Sequence, residues 1–210
     1  MNVPDPLPLL TKFPVVPVLT IDDAKKAVPL AQALLAGGLA AIEVTLRTNA
    51  AIEAIRLISQ NVPGAIVGVG TVTKPSDIDA AIKAGAKYLV SPGTPAELGR
   101  ALAQASVPSI PGCATASEAI ALADLGFKTL KFFPAESSGG ISWLKSIAGP
   151  LPDLRFCPTG GIDGKNAAAY LALPNVVAVG GSWPAPAAAL AAGNYARITA
   201  LAKEAAALRS

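Results

Sequence analysis

The chain has 210 residues, enough to bury a substantial core in one or two domains. It is 52% hydrophobic and 15% charged, and 17 Lys and Arg against 14 Asp and Glu leave a net charge of +3, too small and too scattered for a nucleic-acid footprint. The absence of histidine excludes Ser-His-Asp and Cys-His nucleophiles and histidine-based metal sites, leaving acid–base work to carboxylates, lysine or tyrosine.

Short apolar or β-branched runs recur along the chain. In order they predict strands at "PVVPVL" (14–19), "AIEVTL" (41–46), "IVGVGTV" (66–72), "KYLVS" (87–91), "VPSIP" (107–111), "TLKFF" (129–133), "RFCP" (155–158) and "NVVAVG" (175–180). Alanine-rich stretches with helical periodicity lie between them, such as "IDDAKKAVPLAQALLAGG" and "TASEAIALADLG". "TPAE" at 94–97 and "TASE" at 115–118 read as capping boxes, with Pro95 at a first helical position. Glycines at Gly37–Gly38, Gly85, Gly126 and Gly149 read as helix stops. The segment from 195 to 210, "YARITALAKEAAALRS", reads as an amphipathic closing helix.

Eight strand–helix units at intervals of roughly 19 to 27 residues predict an α/β chain folded as one closed (β/α)8 barrel over 1–210, with a doubly wound open sheet as the alternative. No composition shift marks a linker. Mean hydropathy is positive, and residues 166–196 carry no Asp, Glu, Lys or Arg. Pro174, Gly180, Gly181, Pro184, Pro186 and Gly193 interrupt that run, so it is not one spanning helix. No basic patch precedes an apolar core at the N-terminus. The expectation is a cytoplasmic protein with no membrane partner, whose Cys113 and Cys157 are small buried hydrophobes rather than a disulfide.

Two strands break the apolar rule. "AIEVTLRT" alternates, with Ile42, Val44 and Leu46 on one face and Glu43, Thr45 and Arg47 on the other. In a parallel sheet covered by helices, the second set faces the interior, where buried charge is costly unless paired or used. "TLKFFP" places Lys131 on the face of Phe133, with Leu130 and Phe132 opposite. Desolvation disfavours the ammonium form, and a free amine attacks a ketone to give a Schiff base. A structural ion pair between Lys131 and Glu43 is the alternative, and the two readings are compatible. "PTGGI" (158–162) and "VGGSW" (179–183) set two glycine pairs after the seventh and eighth strands, where backbone N–H groups form an anion nest. "GVGTVT" (68–73) lacks the third glycine of a dinucleotide fingerprint, so Gly68 and Gly70 read as permitting tight packing, with Thr71 facing the site.

With these residues in hand, the sequence resembles the 2-keto-3-deoxy-6-phosphogluconate (KDPG) and 4-hydroxy-2-oxoglutarate (KHG) aldolase family. "VVPV", "EVTLRT", "VGVGTV", "SPG", "IPG", "LKFFPAE", "IAGP", "RFCPTGGI", "GGSW" and "RITALAKEA" occur in the family's order. The resemblance implies a class I aldolase that releases pyruvate from a phosphorylated 2-keto-3-deoxy sugar acid, with no cofactor, no metal and a homotrimeric assembly. It implies Lys131 as the Schiff-base lysine and Glu43 as general acid/base. Arg47 and Thr71 would hold the pyruvate carboxylate, with Phe133 beside it and Pro92 of "SPG" among the substrate contacts. Gly160, Gly161, Gly180, Gly181 and Ser182 would bind phosphate, and Thr159 would touch the C4 hydroxyl. Some relatives carry an arginine at the end of the first strand, where this chain reads "VVPVLTID". An aldolase of the same chemistry acting on 4-hydroxy-2-oxoglutarate or the phosphogalactonate epimer, a non-covalent phosphosugar isomerase or epimerase, and a phosphate-ligand binding protein stay open on the residues alone.

Overall fold

In the computed structural model, which describes residues 3–209, strands and helices alternate as the sequence periodicity predicts. The strands are β1 (Val15–Leu19), β2 (Ala41–Thr45), β3 (Ile66–Gly70), β4 (Tyr88–Val90), β5 (Ser109–Ile110), β6 (Gly112–Cys113), β7 (Thr129–Phe132), β8 (Arg155–Pro158) and β9 (Val179–Gly181). All pair in parallel, so each run between them must cross back over the sheet, and most crossings are made by helices.

The closed eight-stranded barrel is not what forms. The strands divide into a six-stranded sheet, ordered β5-β4-β3-β2-β1-β9, and a three-stranded sheet, β6-β7-β8. The expected strand at 107–111 is cut at Pro111, which has no N–H and separates β5 from β6. At the other edge only two isolated bridges, Phe156–Val176 and Thr159–Gly180, join β8 to the region of β9. The last strand therefore sits at 179–181 rather than 175–180.

The two faces of the strands build two cores. On the outer face, under the helices, Ile42 and Val44 of β2 and Leu130 and Phe132 of β7 are fully buried, each contributing about 1.5–3 kcal/mol by transfer from water. The inner face holds a smaller cluster in which Val16, Tyr88, Val90 and Ile110 of the larger sheet meet Cys157 of the smaller one. Leu10, from the short helix Leu7–Leu10 ahead of β1, packs into this inner cluster. Both thiols are free and buried, Cys113 outside and Cys157 inside.

Helix ends follow local chemistry. The Thr115–Glu118 capping box forms as expected, with Thr115 accepting from the Glu118 N–H and the Glu118 carboxylate accepting from the Thr115 N–H. The box expected at 94–97 does not: Pro95 is the N-cap residue, and the Thr94 hydroxyl instead donates to the Gly112 carbonyl at 3.0 Å and shares a hydrogen with Ser91. Gly38, Gly85 and Gly126 follow helices with φ near +100°, whereas Gly149 ends its helix with an ordinary right-handed φ of −69°. The closing helix runs Tyr195–Ala206, followed by a 3-10 turn at Ala207–Arg209; Ser210 lies outside the described residues. Its apolar stripe of Ile198, Ala202 and Ala205 is buried, and the Thr199 hydroxyl donates to Ala33 of helix Ala27–Ala36 at 3.0 Å. Among the described residues no helix is long and apolar enough to cross a membrane.

Candidate active site

Alternation along β2 turns Glu43 and Thr45 inward, and alternation along β7 does the same for Lys131. The side chains meet between the two sheets: Lys131 Nζ donates to Glu43 Oε1 at 3.1 Å and Oε2 at 3.4 Å. Lys131 is 4% exposed and Glu43 3%. Lys131 Nζ also stands 5.4 Å from the centroid of the Phe133 ring, within cation–π range. The ion pair is therefore real, and it joins a primary amine to a proton acceptor in a site almost closed to water.

Small neighbours make that burial feasible. Lys131 is paired in register with Gly112 on β6 and Cys157 on β8. Glu43 leans over Gly70 of β3, whose missing Cβ leaves the space its carboxylate fills. Thr71 follows directly and holds φ at +61°, a left-handed conformation that a β-branched residue adopts only under constraint. The constraint is visible: Gly70 O accepts from Leu46 N at 2.9 Å, and Val72 N donates to Val90 O at 3.1 Å. Thr45 is locked as well, its hydroxyl donating to Leu19 O at 2.9 Å with the Thr20 hydroxyl 3.3 Å away.

A cleft of about 460 Å³ shares Phe133 with the surroundings of the pair, while Lys131, Glu43 and Thr71 do not line it. Of the expected site residues, Arg47, Phe133, Thr159, Gly160, Gly161, Gly181 and Ser182 line it. Phe133 links cleft and amine. Arg47 lies in the turn after β2 and is exposed, so its guanidinium is available to a ligand. Gly160 and Gly161 hold φ at +101° and +76°, a pair of left-handed residues that only glycine supplies without strain. Gly180 plays a different part: it is buried, and Thr159 covers the space a side chain there would need. Pro92 is also off the cleft, its backbone packed against Gly112, the register partner of Lys131.

Residues from the loop after β1 were not expected. Thr20, Asp22, Asp23 and Lys26 all line the cleft. Asp23 caps the 3-10 helix Ala24–Lys26 by accepting from Lys25 N, and Lys26 Nζ donates to Ala191 O at 3.1 Å and Leu190 O at 3.4 Å. The signal that could have found them is positional, since loops at the carboxyl ends of parallel strands gather on one side of the sheet. The nearby thiols are held protonated: burial pushes Cys113 and Cys157 each up to about 12. Among the described residues no group of three or more Cys, Asp or Glu stands where it could hold a metal ion.

A family model described as KDPG and KHG aldolase matches residues 8–201. The chain belongs to this aldolase family. A relative named 2-dehydro-3-deoxy-phosphogluconate aldolase, from Dickeya dadantii, is 53% identical over 197 residues, covering 94% of this chain and 92% of the relative. Among solved structures, KDPG aldolase from Legionella pneumophila, with pyruvate captured at low pH as a covalent carbinolamine intermediate, superimposes with a TM-score of 0.94 at 43% identity, covering 96% of this chain and 98% of that one. The aldolase of Zymomonas mobilis ZM4 with 3-phosphoglycerate gives a TM-score of 0.91 at 46% identity over 97% of this chain and 96% of that one.

Proposed function

We propose that this chain is a class I aldolase that reversibly cleaves 2-dehydro-3-deoxy-6-phosphogluconate to pyruvate and D-glyceraldehyde 3-phosphate. The observation that carries the reading is the buried Lys131–Glu43 pair at 3.1 Å beside a cleft that offers a guanidinium and a two-glycine nest. The Lys131 amine attacks the C2 ketone of the substrate, and loss of water gives an iminium. Glu43 takes the C4 hydroxyl proton, the C3–C4 bond breaks into the iminium, and the aldehyde leaves. Glu43 then returns a proton to C3 of the enamine, and water hydrolyses the iminium to release pyruvate and free Lys131.

In this reading Arg47 grips the substrate carboxylate as a planar two-point donor, which a lysine cannot match. Thr71 and Pro92 shape the wall near the amine, and Phe133 packs against the pyruvate unit. The N–H groups of Gly160, Gly161 and Gly181, with the Ser182 hydroxyl, take the phosphate. Gly180 serves by admitting Thr159, whose hydroxyl meets the C4 hydroxyl. The whole chain works as one domain in a homotrimer, in the cytoplasm and without cofactor, and sedimentation equilibrium tests the assembly.

Asp22 and Asp23 on the cleft wall favour a second substrate, since carboxylates oppose a distal phosphate dianion more strongly than the single charge of a distal carboxylate. That substrate is 4-hydroxy-2-oxoglutarate. Measuring kcat/KM on both compounds tests the reading: the phosphorylated sugar acid is cleaved faster, and failure to release pyruvate from either compound overturns the function.

A further inference from the structure

Tyr88 on β4 is fully buried, and its hydroxyl oxygen has no hydrogen-bond partner among the described residues. Unpaired buried hydroxyls are costly and uncommon, so its placement calls for a cause. Strand register supplies the geometry. Glu43 on β2, Gly68 on β3 and Tyr88 on β4 form one row across three neighbouring strands. The middle position carries no side chain, and the far end of the Tyr88 ring, Cζ with both Cε atoms, fills the space that a Cβ at Gly68 would take. The hydroxyl is thereby carried across β3 toward β2 and Glu43.

The other groups facing it are few. The Glu43 carboxylate and the Cys157 thiol of β8 are the ionisable neighbours whose charges act on the phenol, and Lys131 of β7 is the register partner of Cys157. Burial first, then the Glu43 charge, pushes the phenol well above its usual range, so Tyr88 keeps a hydrogen to donate.

At rest both Glu43 oxygens are served by the Lys131 ammonium. Schiff-base chemistry weakens that donor, because the nitrogen becomes bonded to substrate C2 and keeps a single hydrogen, too few to serve both oxygens. Glu43 must then move protons with its main partner reduced to one N–H. We propose that Tyr88 is a positioning residue whose hydroxyl takes over as donor to the Glu43 carboxylate once Lys131 is committed to the imine. No covalent bond changes at Tyr88; its hydrogen is shared, not transferred. The proposal rests on the Schiff-base reading above.

Tyr88→Phe keeps the ring and deletes the hydroxyl. With pyruvate and borohydride, this variant forms the Lys131 adduct at the wild-type rate. Exchange of pyruvate methyl hydrogens for deuterium, which requires Glu43 to move a C3 proton, falls about tenfold, the scale of one hydrogen bond to a charged group. Unchanged exchange with a normal adduct overturns the proposal. A variant that fails to fold does so too, since it means the hydroxyl already has a partner at rest. In a Glu43→Gln background, Tyr88→Phe leaves residual exchange unaltered; a further tenfold fall there means a general packing role and refutes the assignment. A wild-type protein that traps no pyruvate removes the Schiff-base reading, and this proposal with it.

Discussion

The carboxylate of Glu43 occupies the space that a side chain at Gly70 would need: a Cβ built there would overlap its Oε1 and crowd its Cγ and Cδ. Gly70 ends β3 as the register partner of Thr45, and its φ is not left-handed, so alanine would be acceptable to the backbone itself. Gly70→Ala is therefore expected to fold, with a lowered melting temperature, while displacing Glu43 from Lys131. Aldol cleavage should fall by about 10²–10³-fold, the scale of losing a positioned general base. Wild-type kcat in a folded Gly70→Ala protein would show that the carboxylate does not need this place.

The Lys131–Glu43 pair separates chemistry from stability. Lys131→Ala leaves a carboxylate buried and unpaired, which typically costs about 3–5 kcal/mol, so denaturant midpoints should fall sharply along with activity. Lys131→Arg keeps the cation but has no nucleophilic amine; it should be equally inactive and much closer to wild type in stability. Glu43→Gln keeps the fold and slows the proton transfers by about 10²–10⁴-fold, while pyruvate still condenses with Lys131. Residual cleavage by Lys131→Arg at wild-type rates would mean another nucleophile.

Lys26 lines the cleft together with the two aspartates of its wall, and its ammonium is tethered to the carbonyls of Leu190 and Ala191. With no arginine at the end of β1, its charge, with that of Arg47, is expected to offset Asp22 and Asp23 when a phosphorylated substrate enters. Lys26→Gln should raise KM for the phosphorylated sugar acid about tenfold and leave kcat/KM on 4-hydroxy-2-oxoglutarate within about twofold. Equal losses on both substrates would assign Lys26 to folding of the loop instead.

The two thiols give a pH signature. Both fold into sites that favour the neutral form, with ionisation raised by burial to about 12. A group whose ionisation is raised on folding contributes stability that is complete below its unfolded value, about 8.5 for a thiol, and is lost as pH climbs toward the folded value. Stability should therefore decline between about pH 8.5 and 12, and a Cys113→Ser, Cys157→Ser protein should decline less over that window. At pH 8 neither native thiol should react with a disulfide reagent on the time scale of minutes, and both should react at once in denaturant.

Charge within an apolar alternation made the central pair legible: Glu43 between Ile42 and Val44, and Lys131 between Leu130 and Phe132, could be placed on inner faces before any coordinates. Thr115–Glu118 was equally readable because a capping box is local. The same pattern at Thr94–Glu97 misled, since long-range partners, Ser91 and the Gly112 carbonyl, claimed the threonine hydroxyl. Sheet closure was not legible either. It turns on hydrogen bonds at Pro111 and at the β8–β9 edge, where strand periodicity says nothing about pairing. The loop after β1 hid Lys26 for a related reason, as an irregular segment has no period to mark which side chains turn inward. Thr71 concealed its left-handed backbone because threonine is not a residue that signals one.

The most direct measurement is intact-protein mass spectrometry after incubation with pyruvate and sodium borohydride, followed by peptide mapping. The account predicts one reduced pyruvyl adduct per chain, on the peptide carrying Lys131, and none in Lys131→Arg. An unmodified wild-type protein, or an adduct on any other lysine, would contradict it and leave Lys131 as the structural partner of Glu43 alone.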